Sequence, residues 1–319
     1  MMAMNLQVCR SEALTEHRPI LVAAVVGALC TDPSGDYVDA TFGRGGHTRA
    51  LLRQLGPKAR ILAIDRDPAA IAVAQQLAKD DARLLVRHGR FGELDQLARS
   101  AQLTDVVGVL MDLGVSSPQL DDPSRGMSFR GDGPLDMRMD PSAGVPASQW
   151  INAASEEELG FVFREFGEER HARRIARVIV ERREQAPILR TADLAALVAR
   201  AQPRPDPHKH AATRVFQAIR IFINDELDEI RLGLEAAFTL IRPGGRIAVL
   251  TFHSLEDRIV KRAFRHWAQG DELPRRLPVT GRPATAGRLL GRAQRADAAE
   301  ITANPRARSA LLRVLEKAA

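Results

Sequence analysis

Through the first third of the chain, short apolar runs alternate with stretches whose apolar positions recur every three to four residues. The runs YVDATF, ILAIDRD, RLLVRHG and VVGVLMDLG read as strands. Between the first two lies a helical pattern around Thr48 to Leu55. Between the second and third lies DPAAIAVAQQLAKD, with Asp67 as the capping residue and Pro68 in the first turn. Regular alternation of this kind predicts a doubly wound α/β sheet with parallel strands. Ligands of such sheets bind where loops gather at the carboxyl ends of the strands.

The rhythm breaks after Asp112. The next strand-like run is RIAVLTFHS, introduced by a turn at Arg242-Pro243-Gly244-Gly245, roughly 130 residues later and far beyond an ordinary connection. The intervening segment is helical in pattern: SEEELGFVFREFG, HARRIARVIVERR, TADLAALVARA and ATRVFQAIRIFIN all carry a period near 3.6. A helical domain is therefore expected to be inserted after the fourth strand, at residues 118–218, between sheet segments 1–117 and 219–319. The sheet resumes through a helix ending at Leu240. An arm rich in Arg, Gly, Pro and Ala near residues 271–300 reads as mobile surface, and ARSALLRVLEK as a last strand.

Lys and Arg outnumber Asp and Glu by 46 to 40, and the isoelectric point is close to 10. That balance favours a polyanionic partner. Aromatic residues make up only 4%, which argues against a broad base-stacking platform. The two cysteines, Cys9 and Cys30, form no C-x-x-C pair, and His208 and His210 stand without ligand partners, so neither a disulfide framework nor a metal site is expected. The N-terminal stretch lacks the apolar core of a secretory signal, and AVVGALC is too short to span a membrane. A cytoplasmic protein without membrane attachment is expected.

The candidate chemistry starts at DATFGRGGHT. Gly43 and Gly45 begin a dinucleotide-type turn, but its third glycine falls on Thr48, and no Gly-Lys-Ser/Thr ending marks a phosphate loop. Asp39 lies inside the end of the first strand, Asp65 closes the second, 22 positions after Gly43, and Asp112 closes the fourth. Three carboxylates repel phosphate. They suit a ligand carrying an ammonium, a sulfonium and a ribose diol, which is S-adenosylmethionine. Gly43, Gly45 and Gly46 would admit its methionine part, and Asp65 would accept from the ribose. Each piece alone also has a plain reading: a tight turn, a capping aspartate and, at Phe91, either a cover for the adenine or a core side chain.

After the fourth strand comes DLGVSSPQLDDPSRGMSFRGDGPLDMRMD, where methyltransferases acting on base amines place their reactive loop. Ser116-Ser117-Pro118-Gln119 partly matches the polar-Pro-Pro-aromatic pattern found there. With Asp112, the Ser116, Ser117 and Pro118 turn would hold a weakly nucleophilic exocyclic amine in line with the methyl group. On these runs, and on HRPILV, AIDRDPAAI, GEERHARRIARVIVERR, HKHAATRVFQAIRIFIN, RPGGRIAVLTFHSLEDRIVK and NPRARSALLR, the chain closely resembles the RsmH/MraW family of bacterial methyltransferases. The resemblance implies a Rossmann-like class I methyltransferase sheet and a helical insertion that takes part in substrate recognition. It also implies methylation of N4 of a cytidine in the decoding region of 16S ribosomal RNA. It carries cofactor contacts onto Gly45, Gly46, His47, Asp65, Phe91, Asp112 and Gln119.

The expected partner is 16S ribosomal RNA or the small ribosomal subunit, with a homodimer left open. Arg170, Arg173, Arg174 and Arg177 fall on one face opposite Ala172, Ile175, Ala176 and Ile179. Arg170, Arg173 and Arg177 would meet phosphate, or the face is simply solvated and paired with Glu181 and Glu184. Arg214 shares a stripe with Gln217 and Ile221 and would sit at the substrate mouth. Alternatives are a methyltransferase for another RNA or DNA base amine and a nicotinamide oxidoreductase, disfavoured by the missing glycine. A third alternative is a non-catalytic RNA-binding or ribosome-assembly module with a relic pocket, against which the intact DATFGRGGH and DLGVSSPQ argue.

Overall fold

Val, Ile and Leu side chains cover both faces of the central strands, so these strands are buried between layers of helices. The computed structural model describes residues 19–202, 210–270 and 285–319. Its strands are β1 (Asp36–Asp39), β2 (Arg60–Asp65), β3 (Leu84–His88), β4 (Val106–Asp112), β5 (Ile241–Thr251), β6 (Gly287–Leu289), β7 (Gln294–Arg295) and β8 (Leu311–Lys317). They form one sheet in the order β3-β2-β1-β4-β5-β8-β6, with β7 also paired to β8. β1 to β5 are parallel, and β8 runs antiparallel to β5 and β6. This is the expected doubly wound, Rossmann-like α/β sheet. The chain winds outward from β1 to β3 and then returns to β4, so the loops after β1 and β4 sit side by side.

The helices are α1 (Val22–Leu29), α2 (Gly46–Leu52), α3 (Pro68–Asp80), α4 (Leu94–Ser100), α5 (Ser117–Asp121), α6 (Ala147–Ala153), α7 (Glu156–Glu165), α8 (Ala172–Arg183), α9 (Thr191–Ala201), α10 (Thr213–Ile223), α11 (Glu226–Leu240), α12 (Ser254–Gln269) and α13 (Ala298–Ala303). α1 to α3 pack on one face of the sheet, and α4, α11 and α12 on the other. A third core, including Phe163, Ile175, Ile179, Leu194 and Ile219, joins α6 to α10 between β4 and β5. α10 reaches it with a continuous apolar stripe of Val215, Phe216, Ala218 and Ile219. As expected, Asp67 caps α3, its Oδ1 accepting from the Ala69 N–H at 3.0 Å with Pro68 in the first turn.

Four expectations change. β1 ends at Asp39 rather than running through YVDATF, because the chain bends towards Gly43 at φ 56°. α2 begins two residues before Thr48, directly after Gly45 at φ 73°. The Arg242–Gly245 turn is a bulge inside β5, pinched between the pairs Val106–Ile241 and Gly108–Arg246. Residues 285–300 of the expected mobile arm are structured: β6 pairs with β8, Arg288 with Glu316 at 2.7 Å, and Glu300 Oε1 accepts from the Leu21 N–H at 2.6 Å. The rest of that arm, 271–284, lies outside the described residues. Among the described residues, no helix is long and apolar enough to cross a membrane.

Candidate functional site

The turn after β1 is held from below by the two acids nearest to it. Asp65 Oδ2 accepts from the Gly43 N–H and Oδ1 from the Asp67 N–H, both at 2.8 Å. Burial pushes its carboxyl up to about 6 against those two bonds. Asp39 lies deeper, 1% exposed, with Oδ2 accepting from Thr48 Oγ1 at 2.6 Å and Oδ1 from the Thr41 N–H at 3.3 Å. Burial raises its pKa too. Both Asp39 oxygens serve the turn, so this acid supports the glycine turn from within. Gly45 and Gly46 are also crowded by the protein itself. A Cβ at Gly45 would lie 2.5 Å from Phe42 Cζ, and one at Gly46 2.6 Å from Pro19 Cγ.

Asp112 ends β4 beside this turn. Its N–H donates to Thr41 Oγ1 at 2.6 Å, its Oδ2 lies 3.6 Å from His47 Nδ1, and its buried Oδ1 has no hydrogen-bond partner. Burial, reinforced by Asp39 and Glu256 and opposed by His47, pushes this carboxyl up to about 6. His47 is buried, its Nε2 lying 2.9 Å from the Ile20 carbonyl oxygen. That bond turns Nδ1 towards Asp112.

The loop after β4 is tied to the start of α3. Gln119 Oε1 accepts from the Ser116 N–H at 2.9 Å, while its Nε2 donates to Asp67 Oδ2 at 2.8 Å. Arg125 donates to the same oxygen at 2.8 Å and to the Met139 carbonyl at 2.7 Å. The result is a cavity of about 120 Å³ whose lining includes Gly43, Arg44, Asp67, Ser116, Pro118 and Gln119. The glycine turn and the Ser116–Gln119 loop thus meet, as expected. Ser117 is buried at the first position of α5. Phe91 instead packs edge-on against α11, where a Cβ at Gly233 would lie 2.6 Å from its Cδ2. Asp67 and Arg125 escaped sequence reading, the first because capping α3 already explained it.

A second polar group lies beside Asp112 at the start of α12. Glu256 Oε2 accepts from the Phe252 N–H at 2.7 Å and the His253 N–H at 3.2 Å, and His253 Nδ1 accepts from the Glu256 N–H at 3.4 Å. This reciprocal cap is spelled in HSLE and was not recognised there. Arg220 donates to Glu226 at 2.7 and 2.8 Å. Glu226, His253 and Glu256 bring ligand atoms close enough for a cation, a grouping no sequence spacing suggested. Arg220 already neutralises Glu226, so the donor set fits an ion-pair network better than a metal centre.

On the helical segment, Arg170, Arg173 and Arg177 are exposed, and Ala172, Ile175, Ala176 and Ile179 are buried as expected. Arg170 precedes α8, and Arg177 lies 3.7 Å from Glu181, so one member of the face has the ion pair. Arg214 is half-buried on α10. Along its stripe Gln217 donates to the Phe166 carbonyl at 3.2 Å and Ile221 is buried. The loop between α7 and α8 reaches the start of α12, where Glu168 accepts from Ser254 Oγ and Arg258 at 3.2 Å. His210 stacks on Phe129 with ring centroids 4.3 Å apart; His208 and Cys9 lie outside the described residues. Partial burial, with the charge of Asp32, pushes the half-buried Cys30 thiol up, away from a reactive thiolate.

A sequence profile of the MraW methylase family matches residues 14–318. A ribosomal RNA small subunit methyltransferase H from Chromohalobacter salexigens is 55% identical over 306 residues, covering 94% of this chain and 91% of the relative. Proteins of the same name from Thiobacillus denitrificans and Thioalkalivibrio sulfidiphilus are 52% and 53% identical. Each alignment covers 95% of this chain, and 97% and 98% of the respective relative.

Proposed function

Because the chain belongs to the MraW methylase family, we propose that it transfers the methyl group of S-adenosylmethionine to the N4 amine of a cytidine in the decoding region of 16S ribosomal RNA. The methyltransferase sheet and relatives named for small-subunit ribosomal RNA methylation support the enzyme class, the cofactor and the RNA substrate. One observation carries the site. Asp65 and Asp112 flank the glycine turn, are raised by burial, and have no arginine or lysine within ion-pair distance among the described residues. Such a place takes a cationic ligand rather than a phosphate. S-Adenosylmethionine supplies the electrophilic methyl group. Asp65 would hold its ribose and Asp112 its ammonium or the target amine, with Gly43, Gly45, Gly46, His47 and Gln119 around it; Phe91, packed against α11, would reach the adenine only with its outer edge.

Ser116, Ser117 and Pro118 are proposed to position the amine. A base within a helix cannot reach such a seat, so the cytidine must be unpaired or flipped out. Residues 118–218 are proposed to present the RNA through Arg170, Arg173, Arg177 and Arg214 to the site formed by 1–117 and 219–319. The purified protein should methylate small subunits from cells lacking it, and nucleoside analysis should find the mark as N4-methylcytidine in the decoding region. A methyl group on another base would change the target, and no transfer would leave a binding module.

A further inference from the structure

Burying a polar atom without a hydrogen-bond partner costs on the order of 1–3 kcal/mol. Among the described residues four side-chain atoms are in this position: Arg66 Nε, Asp112 Oδ1, His253 Nε2 and Glu256 Oε1. One of them, Glu256 Oε1, borders Gly114, and His253 Nε2 lies 3.0 Å from that oxygen. The position a Cβ would take at Gly114 lies 3.6 Å from Glu256 Oε1 and 3.7 Å from Phe252 Cδ2, ordinary contact distances, so an acceptor and a ring edge face the side-chain-free flank of this residue. Asp112, two residues earlier, feels the charge of Glu256. His253 Nε2 and Glu256 Oε1 lie 3.0 Å apart without being aligned to bond each other. Because His253 Nδ1 accepts from the Glu256 N–H, the proton of the neutral ring is on Nε2. The two atoms are thus a donor and an acceptor side by side.

We infer that His253 and Glu256 read the hydrogen-bonding edge of the target base beside Gly114, with Glu256 Oε1 accepting one N4–H of cytosine and His253 Nε2 donating to N3. The inference rests on the cytidine reading above and adds the residues that select the base. An amino base presents a donor next to an acceptor. Uracil and guanine present the reverse, so their carbonyl oxygen would face a carboxylate and their ring N–H would face an N–H. Phe252 forms the apolar wall. Burial alone would raise the Glu256 carboxyl, but His253, the Phe252 N–H and Arg220 outweigh it and hold it below its usual range, so the acceptor stays ionised. These atoms are sealed from solvent, so the seat has to open for a base. Gly114, at φ 87°, is the one residue of the Leu113–Val115 turn with no side chain to displace.

The test is binding of a short RNA carrying the target region, with cytidine or uridine at the methylated position, to protein saturated with S-adenosylhomocysteine. The wild type should prefer cytidine by about tenfold or more, the scale of one good two-point base contact. Glu256→Gln keeps an oxygen for the Phe252 and His253 N–H groups and places an amide N–H where the free acceptor was. His253→Asn keeps a capping acceptor and removes Nε2. Both variants should melt near the wild-type temperature, bind S-adenosylmethionine normally, and lose the cytidine preference. A wild type indifferent to the base, or variants that keep the preference, would overturn the inference. So would loss of cofactor affinity in the variants, or transfer that a chelator abolishes and a divalent ion restores, since the cluster would then hold the cofactor or an ion. Failure of the wild type to form N4-methylcytidine on small subunits would instead sink the functional reading on which the inference rests, whatever the binding preference.

Discussion

Affinity for S-adenosylmethionine should rise by about tenfold between pH 5 and pH 7 for each acid that must be ionised to receive it. Asp65 and Asp112 are both pushed up to about 6, with burial the first cause. In the free protein such a carboxyl is ionised in roughly one molecule in eleven at pH 5 and ten in eleven at pH 7. Ribose hydroxyls and the ligand's positive charge favour the ionised form, so binding pulls these pKa values down and releases protons. Apparent affinity then follows the ionised fraction, which gives about 1.4 kcal/mol per group and up to about a hundredfold for both. Stability of the unliganded protein moves the other way. The folded pKa lies above the unfolded value near 3.9, so the native state holds more protons between about pH 4 and 6, and stability falls as pH rises through that window. Calorimetry from pH 5 to 7, in two buffers of different ionisation enthalpy, reads affinity and proton release together. A flat affinity with no proton release would mean that neither acid changes state on binding, and the electrostatic account of the site would fail.

Asp65→Ala should weaken the cofactor by about 1.5–3 kcal/mol, the range for hydrogen bonds to a charged group, and unchanged calorimetric affinity would remove it from the ribose role. Thr48→Val takes the 2.6 Å donor from buried Asp39 and should destabilise the fold by about 1–3 kcal/mol in urea unfolding; a neutral result would mean that Asp39 is protonated throughout. Ser117→Ala should slow single-turnover transfer about tenfold, on the order of 1.4 kcal/mol, with cofactor affinity intact, whereas a purely structural serine would leave transfer within a few-fold. Replacing Arg170, Arg173 and Arg177 together should flatten the salt dependence of RNA binding by about 0.7 per lost contact to single-stranded phosphate. An unchanged slope would show that the face is only solvated.

What was legible in the sequence is what local chemistry encodes. Apolar strand runs announce β1 to β4, and Asp67-Pro68 announces the start of α3, because pattern and cap are each written within a few residues. The segment 285–300 was misread because β6 and β7 are three and two residues long, and their order comes from pairing with β8, which follows them in the chain. α1 was seen only as an apolar run too short for a membrane; its burial against the sheet is a tertiary fact. The tie of Gln119 and Arg125 to Asp67 spans more than fifty residues and has no spacing to betray it.

The three acids show where sequence position stops being informative. All of them lie at or near strand ends on one edge of the sheet, so the sequence treats them as equals. The structure separates them by what their oxygens already do and by their exposure. Each oxygen of Asp39 and of Asp65 accepts one bond from the surrounding protein, but Asp39 is 1% exposed whereas Asp65 is only partly buried and keeps further lone pairs for a ribose hydroxyl. Asp112 alone carries a buried oxygen with no partner. Since an unpaired buried carboxylate oxygen is costly, the acid that the fold leaves unsatisfied is the one whose partner must arrive with the ligand. The same reasoning singles out Glu256, four residues from the capping groups that occupy only one of its oxygens. Asp112 and Glu256 each keep one buried acceptor without a hydrogen-bond partner, and an exocyclic amine brings two N–H donors.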